Sequence, residues 1–317
     1  MQRPPKKHHY IPRFYLAGFT LSGSKDDFIW VLDQKNGKQW RAKAHNVAYQ
    51  NDFYTLDIPE TEPESIEKEF SFLEGQAASV IKTIINTKSI PTGESYNVLM
   101  NFIALTIARV PSTRKTLEEP FMKISEKILK IALASPERYH TLMERLKKKG
   151  YDISDAPYDS MLDFLRKKEY ELEFNNTFHI QNLLIVMDSV LPYLVNRNWV
   201  LVEATEAYFI CSDRPVTLHW TNPRDSFYGP GFGMKETNVI FPVNKNLLLL
   251  GRFEEIKKNH TKISREGVAW LNSLTLMQAM QYIFSPEKDF IYLSRELQVS
   301  DSSVLLQRIQ KRSKMNK

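Results

Sequence analysis

The spacing of apolar residues changes twice along this chain, and that change limits the folds open to it. Residues 28–44 predict two strands around a turn at Asn36–Gly37, because Asn-Gly between apolar runs is a strong hairpin signal. From Pro63 to about residue 195, apolar residues recur at the three-and-four spacing of helices. Beyond that point, short apolar runs again predict strands. The pattern therefore predicts an α+β fold with strands near both ends of the chain around a large central helical region. The two strand regions could form one mixed sheet with packed helices.

Individual elements follow from the same periodicity. The helix ending near Val110 must stop there, because Pro111 disfavours helical geometry in the residue before it. Helices are predicted at 12–19, 65–87, 95–110 and 266–284. Strands are predicted at 51–58, 198–204, 207–211, 216–220, 238–243, 246–253 and 290–293.

We interpret residues 1–295 as a single α+β domain with a helical insertion at about 112–195, and residues 296–317 as a basic C-terminal tail. The net charge is +6, and residues 308–317 carry basic but no acidic side chains. Such patches favour polyanions, so nucleic acid is a candidate partner, bound without sequence-specific readout. A solvated tail without a partner would explain the same composition.

Composition excludes several classes of protein. One cysteine, Cys211, rules out an internal disulfide framework and a cysteine-based zinc site within one chain. The N-terminus has no apolar segment typical of a secretory signal, so a cytoplasmic location is expected. The most apolar stretch, 180–195, contains Asp188 and Pro192 and is interpreted as a core helix, so no membrane partner is expected.

The first candidate site is the segment "HHYIPRFYLAGF". His8, His9 and Tyr10 precede the helix that begins at Pro12. The partly positive helix end favours neutral imidazoles, which can accept a proton or bind a metal ion. A structural interpretation stays open, in which one histidine caps the helix and the other stacks on an aromatic ring.

The second candidate site is "FICSDRPV". Ser212 and Asp213 follow a short apolar strand, and Pro215 forces Arg214 into an extended conformation. Asp213 could bind a divalent cation or orient a histidine. It could equally accept hydrogen bonds from its own backbone in an Asx turn.

Charged residues on the helices complete the candidates. Arg109 and Arg114 flank the end of one helix and could hold a phosphate or carboxylate, although arginine near a helix C-terminus is favourable in itself. Glu67 and Glu74 lie two turns apart on one helix face. They could supply carboxylates to a site under the N-terminal segment, or form a solvated stripe.

Several stretches occur in the order of a bacterial family, domain-of-unknown-function family 4238. They are "HHYIPRFYLAGF", "NDFYT", "IEKEFSFLE", "IALTIARVPSTR", "NWVLVEATEAYFICSDRPV", "VIFPV" and "LNSLTLMQAMQYIFS". From about residue 8 to residue 285 the chain resembles this family, whose pattern has Asn where Arg214 stands here. The resemblance implies that one recurring pattern contains His8, His9, Tyr10, Pro12, Arg109, Ser212 and Asp213. It implies no reaction.

Two functions follow from these residues. The first is a metal-assisted phosphodiesterase or nuclease-like hydrolase, in which His9 (or His8) and Asp213 bind a divalent metal that activates water. The other histidine serves as general base or as an orienting residue, and Arg109 holds the phosphate; Tyr10, Arg114 and Ser212 would contribute to binding. The second is a non-catalytic nucleic-acid or protein binding module in which both motifs are structural. The oligomeric state does not follow from the sequence.

Overall fold

The computed structural model of the chain describes residues 7–55, 64–153, 156–167, 172–222 and 228–315. Within them, strands lie on both sides of a helical middle, as the apolar pattern predicts. The N-terminal elements are β1 (Lys7–His9), α1 (Arg13–Ala17), β2 (Phe28–Asp33), β3 (Lys38–Lys43) and β4 (Tyr49–Asn51). The helical middle comprises α2 (Ser65–Thr87), α3 (Gly93–Ala108), α4 (Pro111–Ala132), α5 (Pro136–Lys148), α6 (Tyr158–Lys167) and α7 (Asn176–Val195).

The C-terminal part returns to strands. Its elements are β5 (Asn198–Ala204), β6 (Cys211–Ser212), β7 (Thr217–Trp220), β8 (Thr237–Pro242), β9 (Leu247–Arg252), β10 (His260–Ile263), α8 (Arg265–Gln278), β11 (Tyr282–Ser285), β12 (Ile291–Leu293), β13 (Val299–Asp301) and α9 (Ser302–Met315).

Five strands of the C-terminal part form the larger sheet, in the order β10-β5-β9-β8-β7. Only β10 and β5 pair in parallel. Its central strands are apolar at consecutive positions because both faces are covered. Leu201 and Leu249 belong to the core shared with α3, whereas Val200 and Leu248 belong to the core shared with α8.

The two ends of the chain meet in a second sheet, in the order β3-β2-β11-β6. The predicted hairpin supplies β2 and β3, and β11 lies antiparallel to β2 with Phe284 opposite Val31. The N-terminal hairpin thus shares a sheet with β6 and β11 of the C-terminal part. The larger sheet of the C-terminal part is separate from it. Two short pairs, β1-β4 and β12-β13, complete the strands of the described chain.

The helix α3 is the centre of the helical layer. Eight of its side chains are buried, from Leu99 to Ala108, and α2 and α7 pack against it. By length and composition, α7 is apolar enough to cross a membrane, and core helices of soluble proteins share both properties. Here it buries Ile180 and Leu194 and exposes Ile185 and Tyr193.

Three predicted elements are wrong in their extent. The helix predicted over 266–284 ends at Gln278, and the last residues form β11. The strand predicted over 207–211 contributes only Cys211 to a ladder. Its earlier N–H groups are satisfied elsewhere, since Phe209 donates to the Lys245 carbonyl and Ile210 donates to Asn272 Oδ1. The strand predicted over 51–58 shares only Asn51 with β4, because the chain turns at residues 52–54; residues 56–58 lie outside the described chain.

The segment 296–317 is interpreted from the sequence as a basic tail. Residues 296–315, the part of it that the structure describes, are folded. They contain β13 and α9, and Leu305 and Leu306 pack against the core beside β2 and β11. The Gln310 side chain donates to the Gly37 carbonyl at 3.0 Å. The helix α9, which carries Arg308 and Lys311, is therefore held against the β2–β3 turn.

This contact yields a stability prediction. Gly37 has a φ of +61°, and a Cβ there would lie 3.0 Å from Gln310 Cγ and 3.1 Å from Ile309 Cγ2. Gly37→Ala should lower the free energy of unfolding by about 2 kcal/mol or more, from backbone strain and the displaced helix. Urea unfolding measures the loss.

Gly23→Ala is the matched control. Gly23 has a φ of +78° but nothing within 4 Å of its Cβ position, so this variant should lose only the strain of about 1 kcal/mol. Equal losses in the two variants would contradict docking of α9 on the turn.

Candidate functional site

The strand β1 places the two histidines on opposite sides. It pairs antiparallel with β4, with His8 opposite Gln50 and His9 opposite Tyr49, and successive side chains of a strand point to opposite faces. The His8 side chain is fully buried. Its Nδ1 accepts a 2.8 Å hydrogen bond from the Tyr54 N–H, and the two rings stack at 5.7 Å between centroids. His8 is therefore a packed and hydrogen-bonded part of the core.

His9 is held as a neutral ring. Its Nε2 lies 3.0 Å from the His45 carbonyl oxygen, and a carbonyl only accepts, so Nε2 carries the proton and Nδ1 is the basic nitrogen. The pKa of His9 is lowered to about 4, mainly by burial. The hydrogen bond to His45 raises this pKa, and the positive charges of Arg13 and Arg109 lower it further. At neutral pH the ring is uncharged.

Arg109 follows α3 directly and is buried at the centre of the site. Its Nη1 donates to Glu74 Oε1 on α2 at 2.5 Å, and its Nη2 donates to the His9 carbonyl at 2.5 Å. Its Nε donates to the Tyr54 hydroxyl at 3.3 Å. Burial lowers the pKa of Arg109, but the facing Tyr54 and Glu74 raise it, and the net pKa lies above its ordinary value. The charged guanidinium thus joins β1, α2 and α3.

Arg114 is also engaged inside the fold. Its Nη2 donates to the Phe53 carbonyl at 2.8 Å, and its guanidinium lies 3.7 Å from the centre of the Phe53 ring. Burial lowers the pKa of Arg114 to about 10. The cavity that both Arg109 and Arg114 line measures only about 10 Å³, which is room for about one water molecule. The arginine pair therefore leaves no space for a phosphate between them.

The SDRP turn (Ser212–Pro215) is built on backbone hydrogen bonds. Asp213 Oδ1 accepts from the Met280 N–H at 2.8 Å, and Oδ2 accepts from the N–H groups of Gln281 at 2.8 Å and Tyr282 at 3.0 Å. Burial raises the pKa of Asp213, and these bonds partly offset the rise. The carboxylate thus satisfies the donors between α8 and β11, which explains why the predicted helix ends early.

Ser212 holds the same turn from the other side. Its buried hydroxyl donates to the Arg214 carbonyl at 2.9 Å and accepts from the Arg214 N–H at 3.1 Å. The side chain is thereby used to fix the backbone at position 214, and the pattern is that of a Ser turn.

The N-terminal motif and the SDRP turn are close in space. Burial is the main cause that raises the pKa of the Tyr10 hydroxyl. The negative charge of the nearby Asp213 is the second cause. The Cys211 thiol contacts the Tyr15 hydroxyl at 3.6 Å. In the described chain no hydrogen bond or ion pair joins His9 to Asp213, so the structure unites His8, His9, Tyr10 and Arg109 and leaves Asp213 as their neighbour.

The residues proposed to bind a metal already have hydrogen-bond partners within the fold. Both oxygens of Asp213 accept main-chain hydrogen bonds, and the Nε2 of His9 carries a proton directed at a carbonyl. Within the residues described, no group of three His, Cys, Asp or Glu side chains could hold a metal ion. A metal bound by His9 would have to approach Nδ1, the ring nitrogen that carries no proton.

An open hollow of about 360 Å³ borders His9 and Arg109. Arg13 and Lys25 lie on one side of it, and the α2 residues Glu67 and Glu74 lie on the other. The two glutamates thus face the N-terminal segment, as one of the two interpretations of their spacing expects. Their sequence spacing carries no sign that Glu74 pairs with Arg109.

The Asp213 contacts predict a structural role. Asp213→Ala should lower the free energy of unfolding by about 3 kcal/mol, because three N–H groups in a largely buried turn lose a charged acceptor. Urea unfolding is the measurement. Asp188→Ala, at an exposed position of α7, is the matched control and should change stability by about 0.5 kcal/mol or less. A similar loss in both variants would contradict the role of the turn.

The low pKa of His9 predicts a pH dependence of stability. The unfolded chain takes up a proton near pH 6.5, whereas folded His9 does so only near pH 4. This contribution is complete above pH 6.5 and is lost as the pH falls toward 4. His9→Gln should therefore show a flatter decline of the free energy of unfolding over this range than the wild type. A variant with the same slope would contradict a buried neutral ring.

Comparison with known proteins places the chain in a family. No curated protein and no solved structure matches it. A family model described as a protein of unknown function, DUF4238, matches residues 7–289 and so contains both motifs and the whole helical middle. This match covers most of the chain and agrees with the resemblance seen in the motifs. The chain therefore belongs to the DUF4238 family of proteins of unknown function.

Proposed function

We propose that this protein is a non-catalytic module that binds single-stranded nucleic acid without sequence specificity, and that its HHY and SDRP motifs are structural. The observation that carries the proposal is the surface of β3 and α9, where exposed basic side chains lie beside exposed aromatic rings. We call this edge of the sheet the β3 face and define it by Phe28, Lys38, Trp40, Arg41, Lys43, Arg308 and Lys311. Within the sheet, Phe28, Arg41 and Lys43 point to one side of the edge, and Lys38 and Trp40 point to the other.

The cations of the β3 face lie on an edge strand. β3 ends the four-stranded sheet and carries three exposed basic residues, Lys38, Arg41 and Lys43, with no carboxylate. Phosphate groups bind such a row by releasing counterions. Lysines on an edge strand also prevent pairing with other chains, so a test has to separate binding from protection of the edge.

Aromatic rings on this face supply a second feature of single-strand binding. Phe28 is 42% exposed and Trp40 is 39% exposed. The Arg41 guanidinium lies 4.6 Å from the centre of the Phe28 ring and 5.8 Å from that of Trp30. Stacking of bases on exposed rings beside arginine is the sequence-tolerant way in which proteins bind single strands.

The C-terminal helix extends the charge. Gln310 contacts Gly37 in the β2–β3 turn, so the exposed Arg308 and Lys311, which flank it on α9, lie at the same end of the sheet as Lys38. A folded helix presents these charges in fixed positions, which a solvated tail would not do. The RLKKKG run (145–150) lies instead at the end of α5, in the helical middle.

The second candidate is the metal-assisted phosphodiesterase or nuclease. The hollow beside His9 and Arg109 favours it, because it is open and lined by residues of both signs. The contacts of the two motifs support the hydrolase less, because His8, Arg109 and Asp213 form hydrogen bonds within the fold. Whether the nucleic acid is cleaved or stays intact after incubation with the protein and a divalent metal distinguishes the two functions.

The binding proposal predicts a loss that depends on position. The triple variant Lys38→Gln, Arg41→Gln, Lys43→Gln should weaken binding to a mixed-sequence single-stranded DNA about tenfold or more at low salt, because three phosphate contacts are lost. Fluorescence anisotropy at several salt concentrations measures the affinity and the salt slope, which should become shallower.

The matched control removes the same charge elsewhere. Lys147→Gln, Lys148→Gln, Lys149→Gln alters three exposed lysines at the end of α5 and should change the affinity much less. Equal losses in the two triple variants would contradict the β3 face, and so would an unchanged affinity in the first. Intact DNA after incubation with Mg²⁺ or Mn²⁺ agrees with binding alone, whereas metal-dependent cleavage abolished by His9→Gln would favour the hydrolase.

A further inference from the structure

A second cavity, of about 460 Å³, lies beside the SDRP turn. Its walls come from four places: the junction of α3 and α4, the strand β7, the end of α8, and the loop around Phe232. Most of the lining residues are apolar, among them Ile107, Val110, Val216, Leu218, Phe232 and Met277, although polar atoms form the larger part of the exposed wall. Cavities of 300–1,000 Å³ with apolar walls and few polar groups are typical of small-molecule sites.

The polar side chains of this cavity are already used, with one exception. Thr106 donates to the Phe102 carbonyl at 2.8 Å, and Thr113 donates to the Ile107 carbonyl at 2.7 Å. The Gln278 side chain bonds to the main chain of Leu218 through both its amide atoms. These groups line the cavity but have little left to offer a ligand.

The exception is the guanidinium of Arg214. It lines the cavity half-buried, and within the described residues it has no hydrogen-bond acceptor and no ion pair. The neighbouring Asp213 spends both oxygens on the main chain of Met280 to Tyr282. Ser212 fixes the backbone of Arg214 on both its N–H and its carbonyl. The charge of the adjacent Asp213 acts on Arg214 and raises its pKa against the effect of burial, but no described acceptor takes the guanidinium N–H groups at the cavity wall.

We propose that this cavity binds a small organic acid, a monoanionic carboxylate with an apolar body, through the guanidinium of Arg214. The fork of the guanidinium matches the two oxygens of a carboxylate. The valine, leucine, phenylalanine and methionine side chains would cover the apolar body. Arg214 is the only charged residue among those described around the cavity, so the site favours one negative charge over the several of a nucleotide. Decanoate is a suitable probe, and decanol is its neutral equivalent.

The experiment compares the two probes on the full chain by isothermal titration calorimetry, with decanoate kept below its micelle concentration. The wild type should bind decanoate at least about tenfold more tightly than decanol, since an arginine–carboxylate bond adds a charged interaction. Arg214→Gln should lose that difference and bind both probes alike. Arg295→Gln removes a charge at an exposed position between β12 and β13 and should behave as the wild type.

A second variant tests the cavity itself. Met280→Trp should fill the entrance of the cavity and weaken the binding of both probes, because the Met280 side chain lines the cavity and is 44% exposed. Thermal melting of each variant without probe verifies that the fold is kept. Equal affinity for decanoate and decanol in the wild type, or a preference for decanoate that survives Arg214→Gln, would overturn the proposal.

Discussion

The charged guanidinium of Arg109 is the interaction on which the N-terminal half of the molecule depends. Burying an arginine costs several kcal/mol unless its charge and its donors find partners. Here the carboxylate of Glu74 comes from α2, the carbonyl of His9 comes from β1, and the hydroxyl of Tyr54 comes from the loop after β4. Because these partners come from separate parts of the chain, correct placement of one fixes the others.

The two histidines and Asp213 illustrate how polar motifs can serve a fold. Each has the residue type and the local context of a catalytic group, and the match to the family model spans both motifs. Yet His8 accepts a main-chain hydrogen bond, and Asp213 accepts three. Buried N–H groups need acceptors as strictly as active sites need bases, so a recurring polar motif is not in itself a sign of chemistry.

Much of the fold could be predicted because local periodicity determined it. The helix α3 is apolar on nearly all sides and the strands β5, β8 and β9 are apolar on both faces, so their burial follows from composition alone. The end of α8 could not be predicted, since the acceptor that ends it, Asp213, comes from a distant segment. The docking of α9 could not be predicted either, because its basic residues, such as the exposed Arg308 and Lys311, are typical of a solvated tail. Of the side chains described in α9, Leu305 and Leu306 pack against the core cluster. The same holds for the site: residue types identified Arg109, but only the fold identifies Glu74 as its partner.

Pairing of β2 with β11 has a consequence for the order of folding. Val31 lies opposite Phe284, so the inner edge of β2 stays unpaired until residues 282–285 have been synthesised. Contacts so distant in sequence form slowly, because closing the long loop costs entropy before the strands can pair. The central helices rely on nearer contacts and can assemble while the hairpin waits. During that interval the unpaired edge of β2 can pair with other chains, whereas cations such as those on β3 disfavour such pairing at the outer edge of the hairpin.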